Sequence, residues 1–184
     1  LIVAGLILSL VAVVLVRTLT LTPVVPPTVK PVPISSETVA QHLAKALTFK
    51  TISAKGYDTK PFDEMLAWMQ ATWPTLFRVS TLDRIAQNSL LITWPGSQQN
   101  QAPIMFLAHQ DVVPVEEETR QEWTHPPFGG VIAPCEDRPG DCVWGRGSID
   151  MKAALVSLVH AADQLAKSGW RPQRSILFAF GHDE

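Results

Sequence analysis

The hydrophobic pattern changes character along the chain, and each change predicts an element. Residues 1–16 are apolar except for Gly5 and Ser9, and Leu19 and Leu21 extend the run past Arg17. A segment with no polar face is expected to be a membrane helix, taken as residues 1–21, rather than one side of a globular core. Between residues 22 and 36, Pro23, Pro26, Pro27, Pro31 and Pro33 among Val and Thr predict an extended spacer. Beyond it, Val39, Leu43, Ala46 and Leu47 recur at helical spacing behind Ser36 as N-cap. Phe62, Met65, Leu66, Met69 and Trp73 mark a second helix that Pro74 ends or kinks. The runs 78–83 and 89–94 read as strands, and after a polar turn at 95–100 comes Ile104–Ala108, expected to be the most buried strand. A long loop with little periodicity follows. Ala154, Leu155, Leu158, Val159, Ala162 and Leu165 then form a helical stripe stopped at Gly169, and residues 175–180 read as a last strand. Helices interleaved with strands over 37–184 predict an α/β sheet flanked by helices.

Composition adds limits to this picture. With 184 residues, 46% of them apolar, the chain can bury one real core after its first segment is set aside. A formal charge of −2 and no basic stripe argue against a nucleic-acid partner. The first segment carries no small-x-small cleavage pattern after its apolar run, so an uncleaved anchor is expected over a cleaved leader. It is slightly short for a span of about 20 residues and begins at Leu, so further residues are expected ahead of it. The spacer would then hold residues 37–184 away from the bilayer on the non-cytoplasmic side. Cys135 and Cys142 flank a stretch with Pro139-Gly140 that can turn the chain. In an oxidising compartment they would staple that loop; two free thiols are the other reading, and a zinc knuckle lacks its second cysteine pair.

The candidate chemistry lies in the last third. His109 closes the apolar run 104–108, so its imidazole is expected at a strand's C-terminal edge, where open α/β sheets place ligands. Asp111 lies on the same side of an extended chain and could accept the other ring N–H, fixing the tautomer. Asp150 follows Gly145-Arg146-Gly147 and opens a helix, where a carboxylate is favoured and could bridge two divalent ions about 3.5–4 Å apart. Glu184 ends the other strand run and could take a proton from metal-bound water. Arg146 and Lys152 are read as neutralising this acidic cluster. His42 and His160 fall on helices without a partner ligand and are read as structural, while His125 sits in the rigid loop Trp123–Phe128 and is assigned no metal.

Four stretches taken together resemble a known family: His109-Gln110-Asp111-Val112-Val113-Pro114, Trp123-Thr124-His125-Pro126-Pro127-Phe128, Trp144 through Lys152, and Gly181-His182-Asp183-Glu184. In this order they resemble the M20 family of zinc aminoacylases and carboxypeptidases, in the branch of carboxypeptidase S and the N-acyl-amino-acid hydrolases. The resemblance implies two zinc ions, with His109 a terminal ligand, Asp150 the bridging ligand, Asp111 orienting the histidine and Glu184 the general base. It implies hydrolysis of a peptide or an N-acyl amino acid. It also implies further ligands beyond residue 184, so the chain is expected to be the N-terminal part of the catalytic domain and inactive by itself. An inactive, membrane-tethered binding or assembly module of the same fold is the alternative. The four polar side chains argue against it, since without metal chemistry they have no reason to be gathered in one place.

Overall fold

The computed structural model describes residues 2–22, 34–98 and 100–183. Most of the expected spacer and Glu184 lie outside the described residues. The chain divides into two compact units, Leu1–Pro33 and Ile34–Glu184.

In the first unit the apolar run forms helix α1, Ile2–Leu19, whose side chains are exposed wherever they are described. Its 18 residues rise about 27 Å, short of a hydrocarbon core of about 30 Å. Among the described residues no helix is long and apolar enough to cross a membrane.

The second unit is an α/β fold. Helix α2, Ser36–Leu47, begins behind Ser35, whose hydroxyl accepts from the Thr38 amide, one position earlier than the sequence pattern placed the cap. Helix α3, Lys60–Thr72, buries Phe62, Met65, Leu66 and Met69. Pro74 does more than end it: the chain restarts as a short helix α4, Pro74–Val79, so strand β1 covers Thr81–Ile85 rather than 78–83. The reason is a distant cap. Asp163, fully buried on α5 (Ala153–Lys167), accepts the amides of Thr75 and Leu76 through Oδ1 at 3.0 Å each, while its Oδ2 pairs with Lys167 at 2.7 Å.

The main sheet contains β1, β2 (Ser89–Trp94), β3 (Ile104–His109) and β6 (Ile176–Gly181) in the order β1-β2-β6-β3. The first three neighbours pair antiparallel, and β6 runs parallel to β3. Leu90, Ile92, Trp94, Phe178 and Phe180 meet Leu155, Val156 and Val159 of α5 and Met65, Met69, Trp73 and Leu76 in one core. The expectation that Ile104–Ala108 is the most buried strand does not hold: β3 stands at the sheet edge, and Ile104 to Leu107 are exposed. Its apolar content suits a strand covered on both faces, but position in the sheet decides burial.

The long loop is not structureless. A 3-10 turn at Glu117–Glu122 precedes a two-stranded hairpin, β4 (Val131–Pro134) and β5 (Asp141–Trp144), closed by a Cys135–Cys142 disulfide. Its four-residue strands leave too short a period to read from sequence. The hairpin is set tightly on α2, and a Cβ at Gly130 would overlap the Ala44 carbonyl.

Candidate active site

Sheet register brings two of the sequence motifs together. In the parallel pair His109 lies opposite Gly181, and the Gln110 amide donates to the Gly181 carbonyl at 2.9 Å. The chain that continues into His182-Asp183 therefore leaves the sheet beside the imidazole, at the shared C-terminal edge. His182 is held there: Ser89 Oγ lies 2.6 Å from its Nδ1, its ring meets Phe62 edge-on, and the Ser53 hydroxyl reaches its carbonyl.

The third motif arrives from the turn before α5. Gly147, at φ +82°, lets residues 145–150 lie against the loop after β3; a Cβ there would collide with Val112. Asp150 and Met151 depart from helical geometry, at φ −118°, ψ 96° and φ −137°, ψ 38°, and their peptide bond is cis. The excursion delivers the Asp150 carboxylate to the histidine, with His109 Nε2 and Asp150 Oδ1 3.0 Å apart. On the other side of the ring, Nδ1 lies 3.0 Å from the Asp111 main-chain oxygen and 3.4 Å from its Oδ1. The hydrogen bond expected for the carboxylate thus runs to the backbone of the same residue, with the carboxylate at 3.4 Å. The main-chain oxygen suits a proton on Nδ1, the arrangement in which Nε2 would be the nitrogen able to give its lone pair to a cation beside Asp150. The three side chains differ in exposure, 13% for His109, 5% for Asp111 and 66% for Asp150, so the pair His109–Asp150 faces outward over a buried Asp111.

Several residues that the sequence reading passed over, or read differently, brace this arrangement. Thr51 Oγ1 donates to the Gln110 carbonyl at 2.6 Å, and the Val112 amide donates to the Thr51 carbonyl at 2.8 Å, pinning the chain on both sides of Asp111. Ser53 Oγ stands 3.2 Å from Asp111 Oδ2, and the Gln110 side chain donates to the Asn88 carbonyl. Lys152 is fully buried, and its Nζ donates to the carbonyls of Ala46 at 3.0 Å and Phe49 at 2.7 Å, the open end of α2. It is a strut between α2 and the Asp150 turn, and its charge also acts on Asp111 of the acidic cluster. Burial pushes its ammonium down to about 7, with the Asp111 carboxylate opposing that shift. Arg146 is likewise committed, its Nε donating to the Val113 carbonyl at 3.1 Å.

The histidines read as structural lie apart from the site. His42 and His160 pack with Trp68 and Trp73 between helices, and Trp73 Nε1 donates to His160 Nδ1 at 3.4 Å. His125 packs edge-on against Trp144 at 5.2 Å.

The donor types at His109 and Asp150, an imidazole nitrogen with its far side anchored and an exposed carboxylate, suit zinc. They are two donors, and among the described residues no group of three or more His, Cys, Asp or Glu is gathered as a metal cage. Further ligands would have to come from elsewhere, as a four-coordinate ion requires.

The chain is similar to known proteins in sequence and in fold. Residues 105–184 match peptidase family M20/M25/M40. The chain is 39% identical over 125 residues to carboxypeptidase S of Saccharomyces cerevisiae, covering 68% of this chain and 21% of that protein. It is 33% identical over 150 residues to the N-fatty-acyl-amino acid synthase/hydrolase PM20D1 of Mus musculus, covering 79% of this chain and 28% of that one. The chain thus spans between a fifth and a third of the length of these relatives. In fold it is similar to an M20 family metallo-carboxypeptidase from Sulfolobus solfataricus, with a TM-score of 0.60 at 22% identity over 82% of this chain and 31% of that one. Human carnosine dipeptidase 1 aligns with a TM-score of 0.61 at 17% identity over 79% of this chain and 32% of that one.

Proposed function

Because the chain belongs, over the part of its relatives that it spans, to the M20 peptidase family and its carboxypeptidase S branch, we propose that it carries half of a zinc-dependent amide hydrolase site. The full-length protein would release an amino acid from a peptide C-terminus or from an N-acyl amino acid. The observation that supports this most is the His109–Asp150 contact at 3.0 Å, backed by Asp111 across the ring.

In this reading His109 and Asp150 would hold zinc, the imidazole nitrogen and the carboxylate being the donor types it takes. When bound, the metal supplies an acidified water and polarises the amide carbonyl. The chain's own residues do the rest. Asp111, fixed by Thr51 and Ser53, keeps the imidazole turned with Nε2 outward. Glu184 takes the proton as water oxygen bonds to the carbonyl carbon, and returns it to the amine nitrogen as the C–N bond breaks.

A membrane attachment, with residues 37–184 on the non-cytoplasmic side, belongs to the same proposal. What supports it is the exposed apolar run of α1 up to Val16, interrupted by Ser9, and the Cys135–Cys142 disulfide, a bond that persists in oxidising compartments.

The test is release of free amino acid by the zinc-loaded full-length protein from a dipeptide and from an N-acyl amino acid. Glu184→Gln should retain metal and lower turnover by about 10²–10⁴-fold. Near-wild-type turnover in that variant would remove Glu184 from its role. No release of either product by a protein with zinc bound would favour a binding module.

A further inference from the structure

A short segment that belongs to none of the sequence motifs touches all three stretches that meet at the site. It runs from the end of α2 to Ser53. The carbonyls of Ala46 and Phe49 receive Lys152 Nζ from the turn that carries Asp150. Thr51 holds the chain on both sides of Asp111, through the Gln110 carbonyl and the Val112 amide. Ser53 then reaches two oxygens that lie past the ends of different strands. Its Oγ stands 3.2 Å from Asp111 Oδ2, in the loop after β3, and it also meets the His182 carbonyl, beyond β6. A hydroxyl carries one proton, so it donates to one of these oxygens at a time, and both are within its reach. Ser53 is half-buried, whereas residues 54–60 are exposed, so the segment's hold on the site ends with this hydroxyl.

The place of the second contact decides how much it matters. The β3–β6 register ends with His109 opposite Gly181, closed by the Gln110 amide on the Gly181 carbonyl at 2.9 Å. Beyond that bond the chain has left the sheet. There the His182 main chain is met by Ser53, and its ring by Phe62 and by Ser89 Oγ at 2.6 Å from Nδ1. Glu184 follows two residues later in the sequence. Two residues of extended chain span at most about 7 Å, so a tilt of about 8° at His182 displaces the far end by about 1 Å. A misplacement of about 1 Å at a reacting group can cost about 10²-fold in rate.

We infer that Ser53 is a positioning residue, its hydroxyl tying the strand end that leads to Glu184 to the aspartate that orients His109, so that base and histidine keep a set spacing. The inference rests on the hydrolase reading above. Ser53 touches neither substrate nor the reacting atoms and acts through Glu184. Its loss slows proton transfer and leaves His109 and Asp150 able to hold metal. Asp111 keeps its two Thr51 hydrogen bonds on either side, and its main-chain oxygen stays 3.0 Å from His109 Nδ1.

The experiment uses the zinc-loaded full-length protein with a dipeptide and an N-acyl amino acid. Ser53→Ala should lower kcat by about 10- to 100-fold, with KM within about twofold and zinc content unchanged. Added to Glu184→Gln, it should lower kcat no further than Glu184→Gln alone, because it acts through that base. Ser53→Thr, which keeps the hydroxyl, should stay within about threefold of the wild type. A second readout needs no turnover. By amide hydrogen exchange, Ser53→Ala should speed exchange about 3- to 10-fold at residues 181–183, while residues 110–112, held by Thr51, and α3 keep the wild-type rates. Losses that multiply in the double variant, lost zinc, a Ser53→Thr variant as slow as Ser53→Ala, or unchanged exchange at 181–183 would each overturn the inference. So would faster exchange throughout, the mark of a merely structural residue. If the wild type hydrolyses neither substrate, the hydrolase reading fails by itself and exchange alone decides the tie. Faster exchange confined to 181–183 then upholds it, and any other pattern overturns it.

Discussion

At the scale of single residues, the side chains that would do chemistry were legible and those that hold them were not. His109, Asp111 and Asp150 stand in recognisable local settings, at a strand end and after a glycine turn, and the structure gathers them within hydrogen-bond distance. Lys152 gave no comparable sign, because its partners are carbonyls of residues 103 and 106 positions away and backbone acceptors carry no residue identity. Replacing it tests the strut. Lys152→Met should cost about 2–4 kcal/mol, since the Ala46 and Phe49 carbonyls stay buried without their donor; urea denaturation measures it, and a loss below about 0.5 kcal/mol would remove the strut. The helix-packed histidines predict a pH dependence. Burial lowers the pKa of His42 and His160 from the usual 6.5; Lys167 lowers both, His160 further lowers His42, and Asp163 acts the other way on His160. Between the lowered values and 6.5 the unfolded chain binds more protons than the folded one, so stability rises with pH across that window and is lost as pH falls below 6.5. His160→Gln, which keeps an acceptor for Trp73, should flatten the change in denaturation midpoint between pH 7.5 and 5; an unchanged pH profile would locate the effect elsewhere.

At the scale of elements, the sequence pattern succeeded where one segment decides its own state. The stripes of α3 and α5 and the apolar runs of β2 and β6 needed only their own periodicity. It failed where a partner decides. Residues 74–79 are six residues behind a proline and read as the start of a strand, yet they form α4 because Asp163 caps them from 87 and 88 positions along the chain. Asp163→Ala should therefore destabilise the fold by about 3 kcal/mol, two charge-assisted hydrogen bonds being lost in a buried setting. Lys167→Ala, removing a half-exposed partner of the same carboxylate, should cost less than about 1 kcal/mol. Equal losses in the two variants, by chemical denaturation, would mean that the ion pair and not the cap matters. β3 illustrates the same limit: its apolar residues are set out as for an interior strand, and only the order β1-β2-β6-β3 places them at an edge.

At the scale of the whole molecule, the two units differ in their apolar pattern. The first contains an 18-residue helix that is apolar apart from Ser9 up to Val16. The second has a core of its own and brings three of the four sequence motifs to one end of its sheet: the loop after β3, the turn before α5 and the exit of β6. Trp123, in the remaining motif, lines a groove beside Asp150. The α/β class was readable from the alternation of periods, and the meeting of His109 with Asp150 from the positions of their motifs. The groove was not, because its walls come from four separate segments whose apolar residues look like ordinary loop and hairpin content. What unites these observations is the claim that His109 and Asp150 are metal ligands. The most direct test is zinc content and affinity of the full-length protein, by metal analysis and competition with a chelator, for the wild type, His109→Ala and Asp150→Ala. The account predicts that the wild type holds zinc and that each variant loses at least one equivalent or binds at least about 100-fold more weakly while remaining folded. Wild-type zinc stoichiometry and affinity in both variants would contradict it.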